Sequence, residues 1–369
     1  MIVKKANDEQ WMKKAIELSL KARLIAPPNP WVGCVIVKDN KSIAEGFTSI
    51  PGKAHAEINA LQSTDEDLSD ATVYVTLEPC CHHGKTPPCV DALIARKVKR
   101  VVIGTVDPDP IVKGKGIIAL RSAGITVDVG IEETAVLLSL EPYLFQRRFK
   151  RPYTVCKTAI SLDGRTAAKD LTSQWISSKE ARADSHYLRA CSQAILIGSS
   201  TANSDMPALT VRDTEQKPAK PPIRVILDTT GKTKVSYPLF DTKLAPTVIY
   251  TSDKCPENKI KEWKIAGAEV IITPLTKEGK IDIPYLLENL ASKGVIQLLV
   301  EGGRCILTNF VKNGYCEKLV VYVGAVILGS DGLAMFDDWD IPSIDKAPRL
   351  KIQHTELFGD TVRVDYLLT

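Results

Sequence analysis

The chain has 369 residues, 48 of them basic and 44 acidic for a formal charge of +4, with 44% hydrophobic and 25% charged residues. That length exceeds what one hydrophobic core usually serves, so two domains are expected, and the composition excludes wholesale disorder. Balanced charge, the lack of a long basic run and only 6% aromatic residues argue against non-specific nucleic-acid binding, and no apolar run approaches the roughly 20 residues of a membrane span.

The N-terminus, MIVKKANDEQWMKK, has early lysines but no apolar stretch behind them, so a secretory signal is not expected and the cytoplasm is the expected compartment. An odd count of nine cysteines argues against a disulfide framework. Cys80, Cys81 and Cys89 fall together beside His82 and His83. In a reducing compartment that density points to a metal, whereas the scattered cysteines read as small buried hydrophobes.

The periodicity then predicts elements in order. Trp11, Ala15, Leu18, Ala22 and Ile25 share one face of a helix over 8–25, stopped by Pro27 and Pro28. Strands are predicted at Val32–Lys38 and Ile43–Phe47 around an Asp39-Asn40 turn. A helix begins near His55, followed by the strand Thr72–Leu77, the helix Pro88–Arg96 and the strand Val101–Gly104. The helix Gly114–Ala123, the strand Ile125–Val129 and a helix over Glu132–Phe149 complete a layered α/β domain with parallel strands. The basic stretch Arg147–Pro152 reads as the linker. Beyond it, strands are predicted at Tyr153–Ile160, Ala194–Gly198, Ile223–Asp228, Thr247–Thr251, Glu269–Thr273, Ile296–Glu301 and Lys318–Val323. Helices near 178–190, 257–266, 283–293 and 304–312 separate several of them. Arg212–Pro222 and Gly329–Arg349 read as loops, and Val362–Leu368 as a closing edge strand.

The sharpest chemical signal is His55-Ala56-Glu57 followed by Glu78-Pro79-Cys80 and, eight intervening residues later, Cys89. One histidine and two thiolates are the ligands of a zinc-dependent deaminase, which keeps one coordination position open for water. Glu57 stands two residues from His55 and suits a group that takes a water proton and returns it to a leaving amine. Cys81, His82 and His83 are rival ligands, and a closed knuckle of Cys80, Cys81 or His83, and Cys89 is the structural alternative. Such a knuckle leaves His55-Ala56-Glu57 without a purpose. In the second half no G-x-G-x-x-G stands at a strand–helix turn. Ile197-Gly198-Ser199-Ser200-Thr201 and Glu301-Gly302-Gly303-Arg304 are instead the candidate phosphate cradles, since glycines admit close backbone approach and a helix start offers free N–H groups.

Asn29-Pro30-x-Val32-Gly33, His55-Ala56-Glu57 and the run from Thr76 to Cys89 resemble the riboflavin-pathway pyrimidine deaminases. Lys157 with Ser161-Leu162-Asp163-Gly164-Arg165, Ser173-Gln174-Trp175-Ile176, Pro207–Arg212 and Val300-Glu301-Gly302-Gly303 resemble the reductase half of the bifunctional riboflavin biosynthesis family. The resemblance implies an α/β chain with an N-terminal three-layer cytidine-deaminase-like domain over residues 1–149. A dihydrofolate-reductase-like α/β domain over 150–369 follows. It implies His55, Cys80 and Cys89 as Zn²⁺ ligands and Glu57 as the proton shuttle. By the same resemblance Asn29, His82 and Lys85 are expected to line the pyrimidine pocket, with Lys85 a phosphate contact, and Ser173, Arg189, Leu209, Arg212 and Glu301 are expected to hold the ribotide in the reductase.

For NADPH the resemblance implies Ile160, Trp175, Thr201, Asp205, Thr229 and the turn Gly303, Arg304, Cys305, Ile306, Leu307, Thr308 and Asn309. Lys157 and Asp205 are the candidates beside the reacting carbon. The implied partner is a small pyrimidine ribotide, with no nucleic acid and no membrane, acted on by a homo-oligomer, dimer or tetramer. Four positions depart from the family pattern: Cys81 where serine is usual, Met206 before Pro207, and Arg304 and Cys305 where smaller residues are common.

Overall fold

The computed structural model describes residues 2–84 and 87–368, with side chains from Asn7 onward. The chain forms two compact units, Met1–Arg151 and Pro152–Thr369. The first contains α1 (Ile2–Ala22), β1 (Gly33–Lys38), β2 (Lys41–Phe47), α2 (Ala56–Gln62), β3 (Thr72–Leu77), α3 (Cys89–Ala95), β4 (Arg100–Thr105), α4 (Lys115–Ser122), β5 (Thr126–Val129), α5 (Glu133–Ser139) and α6 (Glu141–Phe149). Its five strands lie in the order β2-β1-β3-β4-β5. Only β3, β4 and β5 run parallel; β1 is antiparallel to both neighbours. The β1–β2 hairpin explains the departure from an all-parallel sheet. Its two turn residues, Asp39 and Asn40, adopt φ of 49° and 57°, as the tight two-residue turn requires, and a turn that short permits only antiparallel pairing.

Two glycines set the layers. A Cβ on Gly33 would lie 1.9 Å from the Ala15 carbonyl of α1, and one on Gly46 would lie 2.3 Å from the Ala56 carbonyl of α2. Gly46 pairs with Cys34, the residue after Gly33, so the two glycines face opposite sides of the sheet. Helices α1 and α2 therefore cover opposite faces, which makes three layers. The predicted single helix over Glu132–Phe149 is two helices, because Pro142 at the start of α6 supplies no N–H to continue α5.

A buried ion cluster ties the α1 side to the sheet. Arg100 donates to both oxygens of Asp8 at 2.7 and 2.8 Å and to Asp128 at 2.7 Å, while the Tyr74 hydroxyl donates to Asp8 at 2.7 Å. Arg100→Met strips Asp8 of this guanidinium while leaving its carboxylate buried. It is expected to lower stability by about 3–5 kcal/mol, read as a fall in the denaturant midpoint with an unchanged slope.

The second unit contains β6 (Tyr153–Ser161), β7 (Arg165–Ala167), α7 (Lys179–Ala190), β8 (Ala194–Gly198), α8 (Ser199–Asp205), β9 (Ile223–Leu227), β10 (Thr247–Thr251), α9 (Glu257–Ile265), β11 (Glu269–Ile272), α10 (Ile283–Ser292), β12 (Gln297–Val300), α11 (Arg304–Lys312), β13 (Lys318–Gly324), β14 (Leu333–Ala334), β15 (Leu350–Phe358) and β16 (Thr361–Leu368). Nine of its strands form one sheet in the order β11-β10-β9-β8-β12-β6-β13-β16-β15. From β11 to β13 all pairings are parallel, and β16 is antiparallel to both neighbours. The inner strands β8, β10 and β12 are mostly apolar and buried throughout, as burial on both faces requires, and Leu196, Val225, Tyr250, Leu298 and Phe310 anchor the core. The predicted closing strand Val362–Leu368 is therefore an inner strand. The edge belongs to β15, whose mostly exposed residues give too weak an alternation to identify it as a strand.

Sheet order also marks a site. After β8 the chain leaves toward β9, whereas after β12, which lies beside β8, it crosses β6 to β13. Such a topological switch point opens a crevice at the carboxyl ends of the two strands, here Gly198 and Val300.

Candidate active sites

Local structure gathers the N-terminal constellation. His55 caps the start of α2, so Glu57 falls in its first turn. Cys89 is the first residue of α3 behind Pro88, and Cys80 follows β3 by way of Glu78 and Pro79. His55 Nδ1 lies 3.5 Å from both Cys80 Sγ and Cys89 Sγ, and the three donor atoms all fall within 4.8 Å of one another. Among the described residues this is the one such cluster. Cys81 turns away, its Sγ 3.9 Å from the Ile111 carbonyl, and His82 and His83 are exposed, so the closed knuckle is not formed. One imidazole and two sulfurs at this separation fit Zn²⁺, which takes His nitrogen and Cys thiolate in tetrahedral sites.

Electrostatics single out Cys80 as the thiolate of the set. Hydrogen bonding from Cys89 and from His55 draws the Cys80 thiol down to about 4 against the opposing effect of burial. The Cys89 backbone N–H, at the start of α3, adds a donor to Cys80 Sγ at 3.4 Å. A hydrogen bond to Cys80, with burial second, holds the Cys89 thiol above its ordinary value, and the Cys80 hydrogen bond raises His55. Glu57 is 4% exposed. Burial, with the Cys80 charge adding, pushes its carboxyl up to about 7.

Glu57, His55 and Cys80 open onto a cavity of about 440 Å³ that Asn29 and His82 also line. Lys85 lies outside the described residues. The cavity lining also contains groups that sequence reasoning missed. Tyr143 on α6 donates to Asp107 at 3.2 Å, and the Arg147 guanidinium stacks 5.0 Å from the Tyr143 ring centroid. Tyr143 gives only an ordinary helical pattern, and Arg147, which its basic neighbours mark as the start of the linker, belongs instead to the last turn of α6.

In the second unit the ends of β8 and β12 meet at the switch point. A Cβ on Gly198 or Gly302 would come within 2.8 Å of the Ile306 side chain, and one on Gly303 within 3.4 Å of Thr201 Oγ1. The starts of α8 and α11 therefore come together there, and a helix start is where backbone N–H groups can meet an anion. Ile160, on β6, and Ile306 pack against the core, and Leu307 is buried within it. Thr308 Oγ1 donates to the Arg304 carbonyl at 2.7 Å and accepts from the Asp337 backbone at 2.8 Å. Asn309 accepts from Asn313, while Arg304 and Cys305 reach Asp337 at 3.6 and 2.8 Å. The predicted turn Gly303–Asn309 is thus the first part of a helix, and its side chains from Leu307 to Asn309 are already engaged.

Arg189 on α7 grips Glu301 with both prongs, at 2.8 and 2.6 Å, and the Thr210 carbonyl at 3.2 Å. The Arg189 and Lys157 charges hold the Glu301 carboxyl at about 2 against the opposing effect of burial. Lys157 is lowered from its ordinary value by burial, and its Nζ stands 5.7 Å from the Tyr322 ring centroid. Arg212 is exposed, yet its backbone N–H donates to His186 Nδ1 at 3.1 Å; His186, three residues before Arg189, drew no attention as a sequence. The Leu209 side chain is 3% exposed with φ of 47°. Ser173 and Asp205 are exposed, Thr229 is half-buried, and Trp175 stands 66% exposed with Arg182 stacked 4.2 Å from its ring centroid.

Comparison with known proteins agrees with both halves. A family model described as the cytidine and deoxycytidylate deaminase zinc-binding region matches residues 5–105, and the RibD C-terminal domain matches residues 152–364. The riboflavin biosynthesis protein RibD of Chlamydia pneumoniae is 43% identical over 355 residues, covering 96% of this chain and 94% of that protein. The chain belongs to the RibD family. The Escherichia coli relative is 36% identical, with 96% and 98% covered. The RibD structure of Acinetobacter baumannii superposes with a TM-score of 0.90 at 33% identity, covering 99% of each chain. A Thermotoga maritima diaminohydroxyphosphoribosylaminopyrimidine deaminase/5-amino-6-(5-phosphoribosylamino)uracil reductase gives 0.86 at 34% identity, again with 99% of each covered. Membership makes this chain a bifunctional enzyme of riboflavin biosynthesis, a zinc-dependent deaminase joined to an NADPH-dependent reductase. No helix among the described residues is long and apolar enough to cross a membrane.

Proposed function

We propose that the first unit deaminates 2,5-diamino-6-ribosylamino-4(3H)-pyrimidinone 5′-phosphate and that the second reduces the ribosyl group of the product to ribityl. The observation that carries the reading is the triad of His55, Cys80 and Cys89 donors with the buried Glu57 beside it, all opening on one cavity. Zinc held there is a Lewis acid that makes a water acidic enough to attack at neutral pH. Glu57 takes the proton of that water on its carboxylate and delivers it to the departing amine, so that water and C–NH₂ become carbonyl and ammonia. Asn29 and His82, on the cavity wall, orient the pyrimidine.

In the second unit the starts of α8 and α11, with Gly303, Arg304 and Thr201, are the proposed grip on the NADPH phosphates, and Ile160, Trp175, Asp205 and Thr229 extend that site. NADPH supplies the hydride. Arg212, Ser173 and the Leu209 backbone hold the ribotide, the exposed Arg212 guanidinium fork suiting its phosphate, while Arg189, with both prongs on Glu301, sets that carboxylate toward the ribotide. Lys157, whose proton is loosened by burial, protonates the imine nitrogen of the opened sugar as C1 is reduced. Asp205, at the exposed end of α8, is the second candidate there. The same reading takes the enzyme to be cytoplasmic, where a reducing environment keeps the Cys80 and Cys89 thiols available to zinc, and a homo-oligomer, for which the exposed apolar residues Leu350, Ile352 and Leu357 of edge strand β15 offer a surface.

The two halves separate by metal removal. Stripping zinc with a chelator is expected to abolish deamination, leave NADPH-dependent reduction of the deaminated ribotide intact, and be reversed by added Zn²⁺. Chromatography of both products checks it, and deamination that survives complete zinc removal contradicts the reading.

A further inference from the structure

The end of β3 carries a buried acid that the deamination chemistry does not use. Glu78 is 4% exposed, and four backbone N–H groups converge on its carboxylate. Asp107 and Gly114 donate to Oε2 at 3.3 and 2.9 Å, and Gly116 and Ile117 donate to Oε1 at 3.0 and 3.3 Å. Three of those donors belong to the start of α4, whose N-cap residue is Gly114 and brings no side chain of its own. Glu78 thus caps α4 from a neighbouring strand, and the positive end of the helix stabilises its charge. Contact there is close: a Cβ on Gly116 would lie 2.3 Å from the Pro79 carbonyl.

Two residues after Glu78 stands Cys80. On its other side Cys80 is tied to the start of α3, its Sγ accepting from the Cys89 N–H at 3.4 Å and its carbonyl from the Val90 N–H at 3.2 Å. The segment Glu78-Pro79-Cys80 is therefore clamped between the starts of two helices. We propose that Glu78 is a positioning residue of the metal centre: by capping α4 it fixes the strand end that carries Cys80, so that Cys80 Sγ meets His55 and Cys89 ready-placed for Zn²⁺. This rests on the reading of His55, Cys80 and Cys89 as the zinc ligands.

The test is zinc competition against a chromogenic chelator on full-length wild-type and Glu78→Gln protein. Near-UV circular dichroism and the NADPH-dependent reduction report on folding. Glutamine keeps the shape but turns an NH₂ toward two of the N–H donors. Partners that orient ligands are worth about 10–100-fold in metal affinity. The expected result is a loss of that size in zinc affinity of the folded variant, with deamination recovering as free zinc is raised and reduction unchanged. A folded variant that holds zinc as tightly as wild type overturns the proposal, because capping α4 is then only structural. If Glu78→Gln does not accumulate folded, Gly116→Ala keeps the acid but crowds both the Pro79 carbonyl and Glu78 Oε1, prising α4 off the strand end, and it must weaken zinc in the same assay. Wild-type protein that binds no zinc instead sinks the underlying ligand assignment.

Discussion

Glu57→Gln is expected to lower deamination by about 10²–10⁴-fold, the range in which a positioned general acid–base contributes, while zinc content and reduction stay at wild-type levels. The substitution keeps the side chain's shape and burial, so the three metal donors are left in place. It removes the one group beside them that both accepts and returns a proton. Equal loss of zinc and activity would assign Glu57 to holding the site together, and unimpaired deamination would remove it from the chemistry. Assaying the reduction in the same preparation guards against a folding artefact, because that half has its own core.

The second large effect is expected at Glu301. Its carboxylate is gripped by both prongs of Arg189, and the Lys157 charge acts on it as well. Glu301→Gln leaves two cations facing a neutral amide where the ribotide is proposed to bind. Removing one partner of a buried pair costs about 3–5 kcal/mol, and here the side chains are only 16% and 10% exposed. The second unit should therefore unfold at lower denaturant, and NADPH-dependent reduction should collapse while deamination persists. Near-native reduction with an unchanged unfolding midpoint would reduce the Arg189–Glu301 pair to a spectator.

Much of this was legible before any coordinates. His55, Glu57, Cys80 and Cys89 stand out in the sequence because metal chemistry demands particular residue types at restricted places, and the fold brings the His55, Cys80 and Cys89 donors together. The parallel strands of the second unit were equally clear, since continuous apolar runs are what burial on both faces leaves in a sequence. What escaped depends on partners distant in the chain. Glu78 caps a helix that begins 37 residues later, and His186 acts on the backbone of Arg212; neither leaves a local pattern. Strand β15 was lost because its exposure dilutes the alternation. The break at Leu140 was missed because α5 and α6 share one apolar periodicity and only Pro142 separates them. The helix predicted near 304–312 is α11, so the stretch Gly303–Asn309 that the family resemblance gives as a turn is its first part, with the residues after the glycine pair turned into the core.

The most direct test of the account is mass spectrometry of the diaminopyrimidine ribotide incubated with the zinc-loaded enzyme, first without NADPH and then with it. Replacing the amine by a carbonyl raises the mass by about 1 Da and adding hydride and proton raises it by about 2 Da, both from the atoms exchanged in the two steps. The account predicts only the first change in the first tube and both changes in the second. An unchanged ribotide in both tubes, from protein shown to hold zinc, would contradict it.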